Sequence, residues 1–286
     1  MIDQLWRDLL FGLRMHAKTP VATAAIVGTL AFGIAATVAS FSITNAIFIQ
    51  PLPISEPERF VRVYRHQEGS SAQYFPISAD ELREMRGMRH VFDGVAAEQP
   101  RPLIVGAAGS YERIWGEAVS DGYFELLGVA PVVGRAFTPR EDETGDAVVV
   151  LSHGLWTRQF GGDPQVLTRE LRIDGRPHRI IGVAPARFRG TLLSFTSELW
   201  IPCRAVASRP GHNDDCNGFS VAKLRPGMAL GHARGALEEL ALRLERELPA
   251  TNRGSRFAAF YEAQGRVPPP FHDGVLGFSA ESAQRA

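Results

Sequence analysis

Residues 19–55 contain no Asp, Glu, Lys, Arg or His, and few folds accept so long a stretch without charge. Within it, residues 21–49 would extend about 43 Å as one helix, against a hydrocarbon core about 30 Å thick. A buried helix of a soluble protein would carry a polar stripe, and the apolar region of a signal peptide is about 7–15 residues long. Val38-Ala39-Ser40 has the look of a weak cleavage site, but it follows about 20 uncharged residues, too many for that role. The run predicts one uncleaved transmembrane helix over residues 21–49, with the lipid bilayer as its first partner. Arg7, Arg14, His16 and Lys18 precede it, and Glu56, Glu58 and Arg59 follow. The basic flank stays in the cytoplasm, so the expected protein is single-pass in the cell inner membrane, N-terminus cytoplasmic and bulk periplasmic.

Ala25, Thr29, Gly33 and Thr37 recur at every fourth position of this run, which places them on one helix face where a second helix could approach closely. Ser42, Thr44 and Asn45 also prefer protein to lipid near the outer end. Partner helices are expected, and a second copy of the chain, forming a homodimer, is one source of them. In residues 1–20, Leu5, Trp6, Leu9, Leu10 and Leu13 oppose Arg7, Asp8 and Arg14, the pattern of a cytoplasmic amphipathic segment lying on the membrane surface.

Charge narrows the remaining classes. Lys and Arg number 31, as do Asp and Glu, for a formal net charge of zero; nucleic-acid binders show a basic excess, so no nucleic-acid partner is expected. The only lysines, Lys18 and Lys223, each follow an alanine, whereas a phosphate-binding loop needs Gly-Lys-Ser/Thr. Any ATPase that drives this protein lies on another chain.

After Pro51-Leu52-Pro53, β-rich runs alternate with helical ones, which predicts an α+β domain over residues 54–265. Strands are expected at 60–65, 91–97, 103–106, 113–119, 147–151, 198–201, 219–224 and 256–262. A hairpin at 171–183 would turn at Asp174-Gly175, the dipeptide a type I′ turn requires. Helices are expected from the capping-box spacing Ser78-x-x-Glu81 to about residue 86, over 120–128, over 152–160 before Gly161-Gly162, and over 229–248. Residues 266–286, behind Pro268-Pro269-Pro270, read as a poorly ordered tail.

No HExxH, GxSxG, GxGxxG or CxxC spacing occurs, so the commonest catalytic and cofactor signatures are missing; the chain is expected not to be an enzyme and to hold no cofactor. Ser152 and His153 are adjacent, which on a helix points them about 100° apart, and Ser152 reads as an N-cap. Cys203 and Cys216 flank a loop with His212, Asp214 and Asp215. A disulfide, two free thiols and a metal site all remain open there, the disulfide favoured by an oxidising compartment. Arg169, Arg172, Arg176, Arg179, Arg187 and Arg189 read as a solvated hairpin face.

Seven short motifs in one order carry a family likeness: Asn45-Ala46-Ile47 leading into Pro51-Leu52-Pro53; Tyr123-Phe124-Glu125-Leu126-Leu127-Gly128-Val129; Gly134-Arg135-Ala136-Phe137; Leu151-Ser152-His153-Gly154-Leu155-Trp156; Phe160-Gly161-Gly162-Asp163-Pro164; Asp174-Gly175-Arg176-Pro177; and Ile181-Gly182-Val183-Ala184-Pro185. Over residues of about 5–250 the chain resembles the N-terminal part of MacB-like and FtsX-like ABC transporter permeases, of the ADOP type. The resemblance implies a first transmembrane helix followed by a two-lobed mixed α+β periplasmic core domain. It also implies other permease helices and a separate ABC ATPase as partners, and a role in export or mechanotransmission without catalysis. Family members continue into further membrane helices, and no second apolar run of that length follows residue 49. The chain is therefore expected to be a truncated permease, a fragment, or a single-pass subunit that pairs with others. A membrane-anchored module that captures a peptide or glycan is the other reading these residues admit.

Overall fold

The computed structural model describes residues 20–44, 54–67, 74–107, 110–192, 196–207 and 218–261, and the chain divides into two units, residues 1–50 and 51–286. In the first unit a single helix, α1 (Pro20–Thr44), runs 25 residues without a charge. Its apolar side chains face outward, with Val21 83% and Phe32 78% exposed. Side chains at positions 22, 26, 40 and 42–44 lie outside the described residues, and among those described no helix is long and apolar enough to cross a membrane. The predicted cytoplasmic segment and the residues after Thr44 up to Pro53 also lie outside them.

The second unit is built on one mixed sheet. Its strands are β1 (Phe60–Gln67), β2 (Tyr74–Phe75), β3 (Phe92–Ala107), β4 (Ser110–Val119), β5 (Val133–Gly134), β6 (Val148–Leu151), β7 (Glu170–Ile173), β8 (Arg176–Val183), β9 (Leu199–Pro202), β10 (Phe219–Leu224) and β11 (Ser255–Tyr261). The order is β11-β1-β10-β3-β4-β9-β6-β8-β5, with β2 on β1 and β7 between β3 and β8. The pairs β4–β9 and β6–β8 are parallel and the rest antiparallel. The helices are α2 (Ala79–Gly87), α3 (Tyr123–Leu127), α4 (Pro139–Thr144), α5 (His153–Phe160), α6 (Cys203–Ala207), α7 (Leu230–Glu247) and α8 (Pro249–Asn252).

Local chemistry explains most boundaries. Ser78 accepts from the Glu81 amide while the Glu81 carboxylate accepts from the Ser78 amide, the capping box expected at the start of α2. Ser152 accepts from the Leu155 amide and so caps α5, which Gly161 closes in the left-handed region. Asp174 and Gly175 take φ of 47° and 82°, the two positive values that a type I′ turn needs. A second capping box, Thr138 with Glu141, starts α4.

Two expectations are corrected. The strands predicted separately at 91–97 and 103–106 are a single strand, β3, of 16 residues. Pro100 and Pro102 suggest a break because neither can donate to a ladder. In the fold, β10 pairs with β3 only as far as Glu98, and β7 pairs with it only at Val105 and Gly106. Between those points β3 has β4 alone as a partner, so a proline can leave its missing donor on the open edge. The helix expected over 120–128 is also shorter, beginning at Tyr123 behind Gly122 in the left-handed region.

Because successive side chains alternate across a sheet, the long β3 divides the core. Val95 and Ala97 join α2, α7, β1, β10 and β11 in one apolar cluster, and Leu103 and Val105, on the same face farther along, join α5, β6, β8 and β9 in a second. Ala96 points the other way, into a third cluster with Phe60, Phe124, Phe188 and Trp200. The sheet is thus continuous while its core is split.

Candidate functional site

The third cluster's face of the sheet also holds a buried polar group of residues. Glu98 on β3 and Arg62 on β1 form an ion pair, with side chains 0% and 5% exposed. Arg62 also donates to the Thr191 hydroxyl at 3.0 Å, and that hydroxyl donates to Glu98. Next to it on β4, Glu117 accepts from Ser197 Oγ at 2.5 Å, Trp200 Nε1 at 2.8 Å and Tyr123 Oη at 3.2 Å. Burial, and then the neighbouring Glu98, push the Glu117 carboxyl up to about 8. Burial also raises the Tyr123 phenol, with Glu117 and Glu98 adding to the shift. Two carboxyls thus share a dry site with one arginine, and Glu117 is held as the neutral acid at neutral pH.

This network fastens the β8–β9 connection to the middle of the sheet, because Thr191 and Ser197 both come from that loop. Gly190 makes the approach feasible: its φ is 93°, and a Cβ there would sit 2.5 Å from Glu117 Oε1. The arrangement ties β1, β3, β4 and β9 together through side-chain hydrogen bonds and one ion pair.

A second polar cluster lies where the chain joins the domain. Ser55 donates its amide to the Leu127 carbonyl at 3.3 Å. Glu56, at a φ of 57°, accepts from Arg59 and pairs with Lys223, both at 2.7 Å. Those two cations, Arg59 first, hold the Glu56 carboxyl down at about 2. Arg59 also bonds Asp93 and the Leu224 carbonyl, and Lys223 lies over the Phe60 ring at 5.5 Å. Thus one of the protein's two lysines pins the domain's first residues to β10.

Among the residues singled out from sequence, Ala25, Thr29, Gly33 and Thr37 all lie on α1 and are exposed. Thr29 and Thr37 donate to the carbonyls of Ala25 and Gly33 at 2.8 Å, so their hydroxyls are satisfied within the helix. A Cβ on Gly33 would meet nothing within 4 Å. Pro51, Leu52, Pro53 and Cys216 lie outside the described residues. Cys203 is 4% exposed and disulfide-bonded. Arg169, Arg172, Arg176, Arg179, Arg187 and Arg189 are exposed, with Arg169 paired to Asp163 at 2.8 Å and Arg179 to Glu141 at 3.6 Å. Among the described residues no His, Cys, Asp and Glu side chains gather to hold a metal ion.

Sequence reading missed Glu98 and Glu117. A signal existed for the second: Glu117 lies between Trp115 and Val119 on one period-two face of β4, an acid flanked by apolar residues.

The domain is thus one continuous mixed sheet with its core split along β3 and a buried acid network on one face. Residues 23–240 match the family described as MacB-like periplasmic core domain, and the chain belongs to that family. The fold is similar to the periplasmic region of MacB from Actinobacillus actinomycetemcomitans, with a TM-score of 0.56 and 16% identity over 73% of this chain and 90% of that one. It is likewise similar to the extracellular domain of the noncanonic ABC-type transporter YknZ from Gram-positive bacteria, with a TM-score of 0.54 and 16% identity over 70% and 99%. A domain of a putative permease from Porphyromonas gingivalis gives 0.50 and 16% over 73% and 92%. No curated protein matches the sequence.

Proposed function

We propose that this chain is the membrane-anchored, extracytoplasmic core domain of an ABC-type permease, serving export or mechanotransmission without catalysis. The family match over residues 23–240 carries the reading, since it begins inside α1 and continues through the domain. The described part of α1 falls short of a span by itself; the span is proposed from the whole uncharged stretch, residues 19–55. Partners on this reading are the lipid bilayer, other permease helices and a separate ABC ATPase, with a homodimer as one way to supply the helices. Force would pass through Pro51-Leu52-Pro53 into the domain at Glu56, where Arg59 and Lys223 grip it. Protease added to intact spheroplasts should remove the bulk of the chain and leave a fragment of the first ~50 residues, the length that spans a bilayer with a short flank; a chain left intact would overturn the topology.

The Ala25, Thr29, Gly33 and Thr37 face is proposed as the surface for partner helices. Gly33→Leu places a branched side chain on it and should reduce crosslinking to partner helices by about tenfold, the loss expected when ~1.4 kcal/mol of close packing is removed. Undiminished crosslinking rules this face out.

We further propose Cys216 as the partner of Cys203, because the sequence contains two cysteines. Peptide mapping without reductant should recover residues 203 and 216 in one linked species. Recovery of Cys216 as an alkylated thiol contradicts the pairing.

A further inference from the structure

Three turns of the domain converge on residues 55–59, where the chain enters it. The Ser55 amide donates to the Leu127 carbonyl at 3.3 Å, and Leu127 opens onto the uncharged run Gly128-Val129-Ala130-Pro131-Val132 that leads into β5. Arg59 Nε donates to the Leu224 carbonyl at 2.9 Å, at the end of β10. The next residue, Arg225, donates its amide to the Val91 carbonyl at 3.0 Å and its guanidinium to the Arg89 carbonyl at 3.1 Å, which adds the turn before β3. Val132 is 56% exposed. It is held that way, because the Val129 amide donates to the Phe124 carbonyl at 2.9 Å and the Val132 amide to the Val183 carbonyl at 2.8 Å. Glu56 and Asp93 are engaged by Arg59 and Lys223. Among the described residues neither Arg89 nor Arg225 pairs with a carboxylate, and Glu58 and Glu125 are the exposed acids of the entry and of α3.

We infer that this end of the domain rests on phospholipid headgroups, with Arg89 and Arg225 bonding lipid phosphates and Val132 entering the interface. The inference depends on the anchored reading above. Six residues lead from Ile49 to Ser55 and reach at most about 20 Å, so a span that ends at Ile49 keeps Ser55 within that distance of the bilayer. Guanidinium groups suit lipid phosphates because their planar fork donates two parallel hydrogen bonds. That contact is local and does not require a net positive surface, which Glu58 and Glu125 would offset. An apolar side chain beside such cations is the pairing that binds protein segments at the boundary of headgroups and acyl chains. The other apolar surface of this sheet lies far off. Ile104 and Tyr111 are 51% and 65% exposed, and Ile104 stands eleven residues along β3 from Asp93, about 36 Å.

Photo-crosslinking of the whole chain in nanodiscs of phosphatidylethanolamine and phosphatidylglycerol tests it. One probe lipid carries a diazirine on its headgroup, another on its acyl chain, and adducts are located by peptide mass spectrometry. The headgroup probe should label residues 88–91, 128–132 and 225–229 and leave the peptides of Ile104 and Tyr111 unlabelled. The acyl-chain probe should label residues 19–55. Replacing Arg89 or Arg225 by Gln should lower headgroup labelling of the three turns about fivefold each, the factor that ~1 kcal/mol per cation at a lipid surface gives. Val132→Asp should lower it as well, and all three positions are exposed, so the fold survives the changes. If residues 19–55 take up the acyl-chain probe while the three turns stay unlabelled, or are labelled no more than Ile104 and Tyr111, the inference is overturned and the anchor stands. Labelling that persists through all three substitutions also overturns it. If the acyl-chain probe misses residues 19–55, the anchor itself fails and the inference goes with it.

Discussion

Replacing Arg62 by Leu is expected to lower the stability of the core domain by about 3–5 kcal/mol, the usual loss when one member of a buried ion pair is removed. Arg62 and Glu98 are both out of solvent, so the leucine leaves a carboxylate in a medium of low dielectric with no cation to neutralise it. The pair itself is worth far less, because each partner gave up hydration to enter the core. Arg62→Leu with Glu98→Leu should therefore recover most of the loss, although Thr191 then loses its bonds to both. Urea denaturation followed through the emission of buried Trp200 reads both variants. A single substitution costing under about 1 kcal/mol would show that water reaches Glu98 and that the site is not dry.

Between pH 4.5 and about 8, domain stability should fall as pH rises because of Glu117. Its carboxyl titrates near its ordinary value of 4.5 when unfolded and near 8 when buried, so across this window the folded state binds the extra proton. Stability declines with pH wherever the folded state holds more protons than the unfolded one. The contribution is complete below 4.5 and gone above about 8, and its size is several kcal/mol. Glu117→Gln, which is neutral at every pH and can still accept from Trp200, should flatten the profile over that window. A profile as steep as that of the original protein would place the titration on another group.

Much of the domain was legible because short-range chemistry writes it. Capping at Ser78 and Ser152, the Asp174-Gly175 turn, and the helical period of Leu237, Leu240, Ala241 and Leu244 depend on neighbours a few residues away, and each element stands where its pattern put it. The strand β3 was not legible, since whether Pro100 breaks a strand depends on which strands lie beside it. Those neighbours, β10 and β7, come from residues more than sixty positions away. Cysteine pairing was open for a similar reason: spacing allows a disulfide without choosing it over a metal site.

The candidate sites divide in the same way. The uncharged helix, the missing phosphate-binding loop and the absence of familiar catalytic spacings follow from residue order alone, as they depend on composition and local period. Only the tertiary fold decided that Glu98 and Glu117 share one dry site with Arg62 and that Lys223 grips Glu56. A charged side chain reads as solvated in a sequence, and burial is a property of everything folded around it.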